Sequence, residues 1–446
     1  MSTAAAPLSE VLRAAATVWV QVARGHALDR VLRERSLGMQ MATRLQAAVR
    51  DVCHDALRHR ALIEALLGRL IVHAPAPEVG GLLAVALSQL LDGAYREHVL
   101  VDQAVEAVQS DRRLRGASGF VNAVLRSFLR QRATLLAELL LDDATRLNVP
   151  RWWLQRMQRD HPERWQSALA CAARPPPLVL RVNRRRCDVE RYLSLLEEQA
   201  VAASRIGPDA VWLHRPRPVE QIPGFSEGLV SIQDAGAQLA APWLQVGDGM
   251  RVLDACAAPG GKTGHLAELS DAPIDAVDVD SQRAERVSDN LRRLGLTDPR
   301  IRILIADASD PAAFWDGRPY QRILVDAPCT GSGIVRRHPD IPWLRREADV
   351  AQLATNQARL LDALWPLLAP AGRLLYVVCS VFREEADQQA DSFLERHPDA
   401  RLTPLPGTQH GSLQLLPDGA DSVEPGQISD LPTQHDGFFF ALFEKV

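Results

Sequence analysis

The sequence lacks the marks of a membrane, secreted or zinc-binding protein. It contains no run of ~18 or more uncharged apolar residues that could cross a bilayer, and its start has no basic segment leading into an apolar one. Its six cysteines include no Cys-x-x-Cys pair, so the usual spacing of zinc ligands is absent. We therefore expect a cytoplasmic protein without membrane contact or bound metal, whose cysteines are reduced thiols.

Lysine is almost absent as well. Among 51 basic residues only Lys262 and Lys445 are lysine, and all the others are arginine. Lys445 stands near the end of the sequence and is given no role. Lys262 lies in a glycine-rich loop, where a compact ammonium group fits and a planar guanidinium does not. We therefore expect a specific role for Lys262.

A complete phosphate-binding motif is also missing. Cys256 stands where Gly-x-x-x-x-Gly-Lys-Ser/Thr requires its first glycine, and Gly-x-Gly-x-x-Gly does not occur. The loop at residues 254–263 still contains Gly260 and Gly261, and paired glycines let a ligand approach the backbone at the start of a helix. The loop therefore predicts a nucleoside-bearing ligand with little phosphate.

Length and composition predict several domains. A chain of 446 residues exceeds one ordinary core, and 47% hydrophobic with 24% charged residues is typical of a globular protein. We place three domains at residues 1–145, 146–235 and 236–446. The net charge of −4 is uneven, because residues 1–250 are net positive and residues 251–446 net negative. A polyanionic partner would therefore be drawn to the N-terminal parts.

The first domain is predicted to be an all-α bundle. Apolar residues recur at three- and four-residue spacing through residues 9–141, as at Leu62, Leu66 and Leu70. Arginines cluster around the break at residues 116–119 and in the helix that follows, namely Arg112, Arg113, Arg115, Arg126, Arg130 and Arg132. They could form a phosphate-binding face, and a solvated helix surface is an equal alternative.

The middle segment predicts a small α+β module. It contains a short strand at Leu178–Val182 and a helix at residues 189–199. Arginines lie around Trp212 in the sequence of this module, namely Arg181, Arg184, Arg185, Arg186, Arg215 and Arg217. Positive charge mixed with an aromatic side chain favours contact with single-stranded RNA.

The last domain predicts a parallel, doubly wound α/β sheet. Strands alternate with helical periods, at residues 252–253, 274–277, 301–305, 323–325 and 374–378, and a loop at 411–434 precedes a final strand at 438–443. Asp278 ends the second of these strands, where a carboxylate can accept both ribose hydroxyls, and Asp307 follows the third, where it could meet an adenine amino group. S-adenosylmethionine (SAM) contains ribose and adenine without phosphate, so it fits the glycine-rich loop together with these two strand-end acids.

Two cysteines follow predicted strands at the carboxyl edge of this sheet. Cys329 stands in Asp-Ala-Pro-Cys and Cys379 in Val-Val-Cys-Ser. Thiolates are strong nucleophiles, and ligands meet side chains at this edge of α/β sheets. The pattern predicts two reactive thiols in one site.

The motifs together resemble the RNA cytosine-5 methyltransferases of the NOL1/NOP2/Sun family. The resemblance rests on residues 254–263, 326–333 and 337–340 and on Cys379-Ser380, and residues 119–126 resemble the NusB RNA-binding fold. It implies an all-α NusB-like N-terminal bundle, a small α+β middle module and a C-terminal α/β doubly wound SAM-dependent methyltransferase domain. The combination with a NusB-like bundle is that of the bacterial branch of the family that modifies one cytosine of 16S rRNA.

The resemblance also implies roles for single residues. Cys379 is expected to bond to cytosine C6, and Cys329 to assist product release. The residues implied in SAM binding are Cys256, Ala257, Ala258, Pro259, Gly260, Gly261, Lys262, Asp278, Asp307 and Asp326. The implied partner is naked or partly assembled 16S rRNA, with no DNA, and the protein is expected to be a monomer.

Several alternatives remain open at the level of sequence. Lys262 could lower the pKa of Cys379 or neutralise Asp254 or Asp326, and the neutralising role is favoured. The substrate could be tRNA or another RNA, or the chain could be an RNA-binding factor with a vestigial methyltransferase domain. Two departures from the family pattern, Val378 in place of threonine and Ala386 in place of asparagine, put the fine positioning of Cys379 in question.

Overall fold

The computed structural model describes residues 6–39, 43–417 and 431–446. The chain forms two compact units. The first, called here the helical unit, comprises the described residues up to 174 together with 335–346. The second, called the sheet unit, comprises residues 175–334 and the described residues from 347 onward. The chain therefore passes between the two units three times.

The helical unit confirms the predicted bundle. Its helices are α1 (Leu8–Ala23), α2 (Leu28–Met39), α3 (Thr43–Arg58), α4 (Arg60–Leu70), α5 (Pro77–Asp92), α6 (Glu97–Gln109), α7 (Ser118–Leu139), α8 (Asp143–Arg146), α9 (Arg151–Asp160) and α10 (Trp165–Ala172). Helix α5 begins with a proline, which suits the first helical position, and ends at Gly93 in the left-handed conformation. Helices α1 and α5 pack closely, since a Cβ atom on Gly81 would lie 2.7 Å from the carbonyl oxygen of Ala16.

Residues 335–346 pack within the helical unit although they follow Cys329 in the chain. They include α15 (Ile341–Leu344). The Asp340 carboxylate accepts the first backbone N–H of α2, from Leu28, at 2.8 Å. The Arg60 guanidinium lies 4.9 Å from the ring centroid of Trp343. A helix N-terminus has unsatisfied N–H groups, so Asp340 acts as a cap supplied from a distant part of the sequence.

The small α+β module lies in the sheet unit and confirms its predicted strand and helix. Four antiparallel strands have the order β2-β3-β1-β4. They are β1 (Leu178–Val182), β2 (Ala203–Arg205), β3 (Ala210–Leu213) and β4 (Val230–Ile232), with α11 at Val189–Glu198. The side chain of Asp188 caps α11 by accepting the N–H of Arg191 at 2.7 Å.

The large sheet positions the candidate site. Its strands are β5 (Val252–Ala255), β6 (Ile274–Asp278), β7 (Ile301–Ile305), β8 (Tyr320–Asp326), β9 (Leu368–Val378), β10 (Ala400–Leu402), β11 (Ser412–Leu415) and β12 (Phe438–Lys445). The order is β10-β12-β9-β8-β5-β6-β7, with β11 paired to β12. Strands β5 to β9 are parallel, whereas β12 pairs antiparallel with β9. The expectation of a wholly parallel sheet is therefore wrong at this edge, and the sheet is mixed.

Helices cover both faces of this sheet, which confirms the doubly wound arrangement. They are α12 (Ala240–Leu244), α13 (Gly261–Leu269), α14 (Ser281–Leu294), α16 (Glu347–Leu364) and α17 (Asp387–Arg396). Helices α12, α13 and α14 contribute to one apolar cluster, and α16 and α17 contribute to another. Because the faces are buried, the parallel strands present their carboxyl ends as the accessible edge.

Arg181 of the small module is not part of the predicted RNA surface. Arg181 is fully buried. It makes two hydrogen bonds with Glu268, at 3.1 and 2.7 Å, and donates to the carbonyl oxygen of Gly261 at 2.7 Å. A buried arginine needs such partners to offset the loss of hydration. Arg181 therefore joins the small module to the glycine loop.

The neighbouring arginines serve the same contact. Arg185 donates to the carbonyl oxygen of Ala267 at 2.7 Å, and Arg186 donates to that of Leu294 at 2.9 Å. Both acceptors lie in helices of the large sheet, α13 and α14. The guanidinium groups of these two residues thus hold the two parts of the sheet unit together. Both residues are exposed, and their contact with RNA stays a prediction.

The segment predicted as a loop at 411–434 contains strand β11, paired with β12 from Ser412 to Leu415. Residues 418–430 of that segment lie outside the described part of the chain. Among the helices of the described residues, none has both the length and the apolar character needed to span a membrane.

Candidate active site

The two predicted thiols meet at the carboxyl edge of the large sheet. Cys329 follows β8 by three residues, and Cys379 directly follows β9. These strands are parallel neighbours, with Asp326 in register with Val377, so both strands end at the same edge. The two Sγ atoms lie 3.3 Å apart, and the cysteines are not joined by a disulfide. The prediction that both thiols share one site is confirmed.

The environment of Cys329 favours its protonated form. The contact with Cys379 and then burial raise the pKa of the Cys329 thiol well above its usual value. Cys329 therefore keeps its proton at neutral pH, and it can donate that proton to the Cys379 sulfur across the 3.3 Å contact.

Lys262 forms an ion pair with an acid of the same edge. It is the second residue of α13, and its Nζ donates to Oδ2 of Asp326 at 2.6 Å. Burial alone would lower the pKa of Lys262, but Asp326, then Cys379 and Asp254, outweigh burial and raise it. The contact matches the neutralising alternative for Asp326.

Asp254 is a buried acid beneath the glycine loop. Its Oδ2 accepts the Thr263 hydroxyl at 2.6 Å, while its Oδ1 has no hydrogen-bond partner among the described residues. Burial raises the pKa of Asp254 to about 7, against the lowering effect of Thr263. An unsatisfied buried oxygen is costly, so this one favours a ligand that donates a hydrogen bond or carries positive charge.

The glycine loop is held open by its own geometry. Gly260 has φ +93°, and a Cβ atom there would lie 2.9 Å from Cα of Val287, so only glycine fits. At Gly261 a Cβ atom would meet one side-chain atom, of Gln233, at 3.7 Å. The backbone at Gly261 thus remains approachable at the start of α13, where free N–H groups point outward. Together with Asp254, this loop fits the cationic, phosphate-free SAM molecule.

Hydrogen bonds fix the rest of the loop to β6. The backbone N–H of Ala257 donates to the carbonyl oxygen of Val277 at 2.9 Å, and that of Ala258 donates to Asp278 at 3.0 Å. The carbonyl oxygen of Pro259 accepts the Asn290 side chain at 2.8 Å. The loop is therefore preorganised before any ligand binds.

Cys256 is the third cysteine of the site and is not a nucleophile. Burial, followed by the charges of Asp326 and Asp278, raises its pKa to about 12. It therefore remains a thiol, and it adopts a left-handed backbone conformation with φ +63°. Its expected place in the cofactor loop agrees with this geometry, and its role in SAM binding stays a prediction.

The strand-end acids lie where the sequence predicts them. Asp278 is buried at the end of β6 and accepts N–H groups from Ala258 at 3.0 Å and Asp280 at 3.1 Å. Val279 beside it is 67% exposed, which leaves an apolar surface at the position expected for a nucleoside. Asp278 therefore organises the loop, and its role in ribose binding stays a prediction.

Asp307 follows β7 and accepts both the N–H and the hydroxyl of Ser309, at 2.9 and 2.7 Å. These two hydrogen bonds lower the pKa of Asp307, so its carboxylate is ionised at neutral pH. One oxygen of Asp307 thus fixes its own turn, and contact with adenine stays a prediction.

One residue at the site was not assigned a role from sequence. Glu385 is fully buried and lies close to the residues that follow both cysteines. Glu385 lies between Glu384 and Ala386 in a mostly polar stretch six residues after Cys379, so no signal in the sequence indicated that this acid is buried. Ala386 and Val378 are themselves buried in the apolar cluster of the sheet.

Comparisons with known proteins agree with the whole architecture. Residues 241–444 match the family described as 16S rRNA methyltransferase RsmB/F. Residues 149–220 match the ferredoxin-like domain of RsmF/B-like methyltransferases, and residues 9–130 match the NusB family. The predicted fold class, with a NusB-like helical part, a small α+β part and a methyltransferase sheet, is confirmed.

Individual relatives match the chain over between 69% and 100% of its length. The chain is 39% identical over 438 residues to "Ribosomal RNA small subunit methyltransferase B" of Salmonella typhi, which covers 97% of each chain. The solved structure named PH0851 has a TM-score of 0.76 and 25% identity and covers 100% of both chains. A methyltransferase homolog protein from Pyrococcus horikoshii has a TM-score of 0.57 and 27% identity, covering 69% of this chain and 99% of its own. This chain therefore belongs to the RsmB/F family of 16S rRNA methyltransferases, which use SAM as the methyl donor.

Proposed function

We propose that this protein transfers a methyl group from SAM to C5 of one cytosine in 16S rRNA, with Cys379 as the nucleophile. The observation that carries this proposal is the 3.3 Å contact between Cys379 and Cys329 beside a preorganised glycine loop. The name of the Salmonella relatives supports small-subunit rRNA as the substrate.

Two thiols suit the chemistry of cytosine. C5 of the ring is a poor nucleophile, and the addition of the Cys379 thiolate to C6 makes C5 electron-rich. SAM supplies an electrophilic methyl group on its sulfonium. After methyl transfer, the C5 proton leaves to a base, the S–C6 bond breaks and the ring double bond returns. Cys329 is proposed to assist this release, since it holds a proton 3.3 Å from the departing sulfur.

The charged residues of the edge have matching roles. Lys262 is proposed to neutralise Asp326. Asp254, with one unsatisfied oxygen, is proposed to favour the positive charge of SAM. The target cytosine has to leave its stack to reach Cys379, so a loop or a flipped nucleotide is the expected substrate.

Bisulfite mapping of rRNA tests this function. Cells that lack the protein should lose 5-methylcytosine at one 16S position, and purified protein with SAM should restore it on the isolated rRNA. Transfer to tRNA and not to 16S rRNA would favour the tRNA alternative. RNA binding without any transfer from labelled SAM would favour the vestigial domain. Either result would contradict the proposal.

A further inference from the structure

Glu385 connects the two loops that carry the thiols. Thr330 directly follows Cys329, and Ser380 directly follows Cys379. The Glu385 carboxylate accepts the backbone N–H of Thr330 at 2.9 Å and its hydroxyl at 2.6 Å. It also accepts the hydroxyl of Ser380 at 2.6 Å. One carboxylate therefore holds the residue after each cysteine.

A second side chain extends this connection to the residue before Cys329. Gln357 of α16 donates to Glu385 at 3.0 Å and to the carbonyl oxygen of Pro328 at 2.9 Å. The Tyr376 hydroxyl donates to the Gln357 side chain at 3.0 Å and to the Glu385 backbone carbonyl at 2.8 Å. The position of Glu385 is thus fixed by β9 and α16, which are regular elements of the sheet unit.

A direct bond between the two loops completes the network. The hydroxyls of Ser332 and Ser380 lie 2.9 Å apart, and Ser332 also accepts the N–H of Val381 at 2.8 Å. All of these hydroxyls are buried. Bonds of this kind persist only where every polar group is satisfied, so the network gives the two loops one arrangement.

The cost of burying an acid argues against a passive structural role. Glu385 is completely shielded from water, and burial raises its pKa while the hydrogen bonds from Ser380, Thr330 and Gln357 oppose that change. An apolar side chain would fill this volume without a desolvation cost. The side-chain partners recorded for Glu385 in the described chain belong to the two thiol loops and to Gln357, and none belongs to the loop at 254–263.

We propose that Glu385 is a positioning residue that fixes the Cys329 and Cys379 sulfur atoms at contact distance by binding the residue after each of them. The proposal rests on the function proposed above, in which Cys379 attacks and Cys329 assists release. Without Glu385 the two loops would keep only their direct bonds, the spacing of the two sulfur atoms would no longer be fixed, and both adduct formation and adduct release would slow. SAM affinity would not change, because the glycine loop has its own hydrogen bonds.

Thiol cross-linking measures this arrangement without any methyl transfer. Dibromobimane becomes fluorescent once two nearby thiols have displaced both of its bromides. The wild-type protein should form the bridge, and Cys329→Ser should not. Glu385→Gln should still bind SAM. Its two thiols should be cross-linked roughly tenfold or more slowly, and it should methylate rRNA roughly tenfold or more slowly, because a displacement of reacting groups by about 1 Å can lower a reaction rate 10²-fold. Glu395→Gln, a matched change at an exposed position, should equal the wild type.

The outcomes separate this proposal from the proposed function. Normal bridging in Glu385→Gln would overturn the positioning role, whatever the methylation rate. If the wild-type protein forms the bridge but methylates no rRNA, the proposed function is refuted, while the positioning of the two sulfur atoms by Glu385 is still tested by the bridging rates. If Glu385→Gln does not bind SAM, Thr330→Val decides the question, since it removes one hydroxyl bond to the carboxylate and leaves the contact between Ser332 and Ser380 in place. Slower bridging in that variant supports the proposal, and unchanged bridging overturns it.

Discussion

Lys262 donates a hydrogen bond of 2.6 Å to Asp326, and this pair joins the glycine loop to the end of the strand that leads to Cys329. The pair explains why a lysine stands at this position in a chain that uses arginine at almost every other basic position. A single compact ammonium group reaches Asp326 from the second residue of α13, and a forked guanidinium would require more space there. The cofactor loop and the thiol edge thus share one charge pair.

We predict that Lys262→Met impairs the site without unfolding the protein. The loss of the ammonium group leaves Asp326 without its partner, so SAM affinity or the methylation rate should fall roughly tenfold or more, equivalent to about 1.4 kcal/mol. Isothermal titration with SAM and single-turnover methylation would measure both. Lys445→Met is the matched control, because Lys445 contacts the carbonyl oxygens of Trp365 and Leu368. Unchanged binding and unchanged rate in Lys262→Met would refute the role of Lys262.

We predict that Asp254→Asn stabilises the ligand-free protein at alkaline pH. The pKa of Asp254 is raised from 3.8 in the unfolded chain to about 7 in the folded protein. Stability from this group is therefore fully present below pH 3.8 and is lost as pH rises toward 7. Above pH 7 the free energy of unfolding of the wild type should be lower than that of Asp254→Asn. The difference should be on the order of a few kcal/mol, since one pKa unit is about 1.4 kcal/mol.

Urea unfolding at pH 5 and at pH 8 would measure this difference. The advantage of the asparagine variant should shrink at pH 5, where the buried carboxyl holds its proton. The control is Asp298→Asn. The carboxylate of Asp298 is exposed, and its hydrogen bond with Arg300 lowers its pKa, whereas burial raises the pKa of Asp254. An equal difference between Asp254→Asn and the wild type at both pH values would contradict the raised pKa.

We predict that Arg181→Met destabilises the sheet unit. The change leaves Glu268 as an unpaired buried charge, which typically costs about 3–5 kcal/mol in the free energy of unfolding. The double variant Arg181→Met with Glu268→Leu should recover much of that loss, because both charges are then removed. SAM binding should weaken as well, since Arg181 contacts the carbonyl oxygen of Gly261.

Denaturant titration would measure these two variants beside Arg205→Met. Arg205 pairs with Glu190, a carboxylate whose side chain is 70% exposed, so its loss should cost under about 1 kcal/mol. A loss in Arg181→Met no larger than that of Arg205→Met would show that the buried pair does not stabilise this unit.

Sequence predicted the parts of the molecule that depend on local pattern. The strand Leu178–Val182 has the predicted bounds, and both thiols lie at the predicted edge, because strand ends follow from alternation and turn residues. Pairing between distant segments was not predictable in the same way. The direction of β12 relative to β9, and the packing of residues 335–346 within the helical unit, depend on contacts that no local pattern encodes.

Arg181 shows why positive charge in the sequence did not indicate the partner of an arginine. Arg181 looks like an RNA contact when it is counted with its neighbours, but its partner Glu268 lies 87 residues later in the chain. The same reason applies to Glu385, whose partners at Thr330 and Ser380 come from two different loops. Buried polar networks are specified by tertiary structure, so sequence indicated the residue types and not their connections.

Cys379, and not Cys329, is proposed to bond to the cytosine. The direct measurement is the covalent complex formed with 16S rRNA fragments that carry 5-fluorocytosine, resolved on a denaturing gel in the presence of SAM. We expect the wild type and Cys329→Ser to form the complex and Cys379→Ser to form none, with Cys329→Ser also accumulating an adduct on ordinary cytosine because release is slow. A complex formed by Cys379→Ser and not by Cys329→Ser would contradict the account.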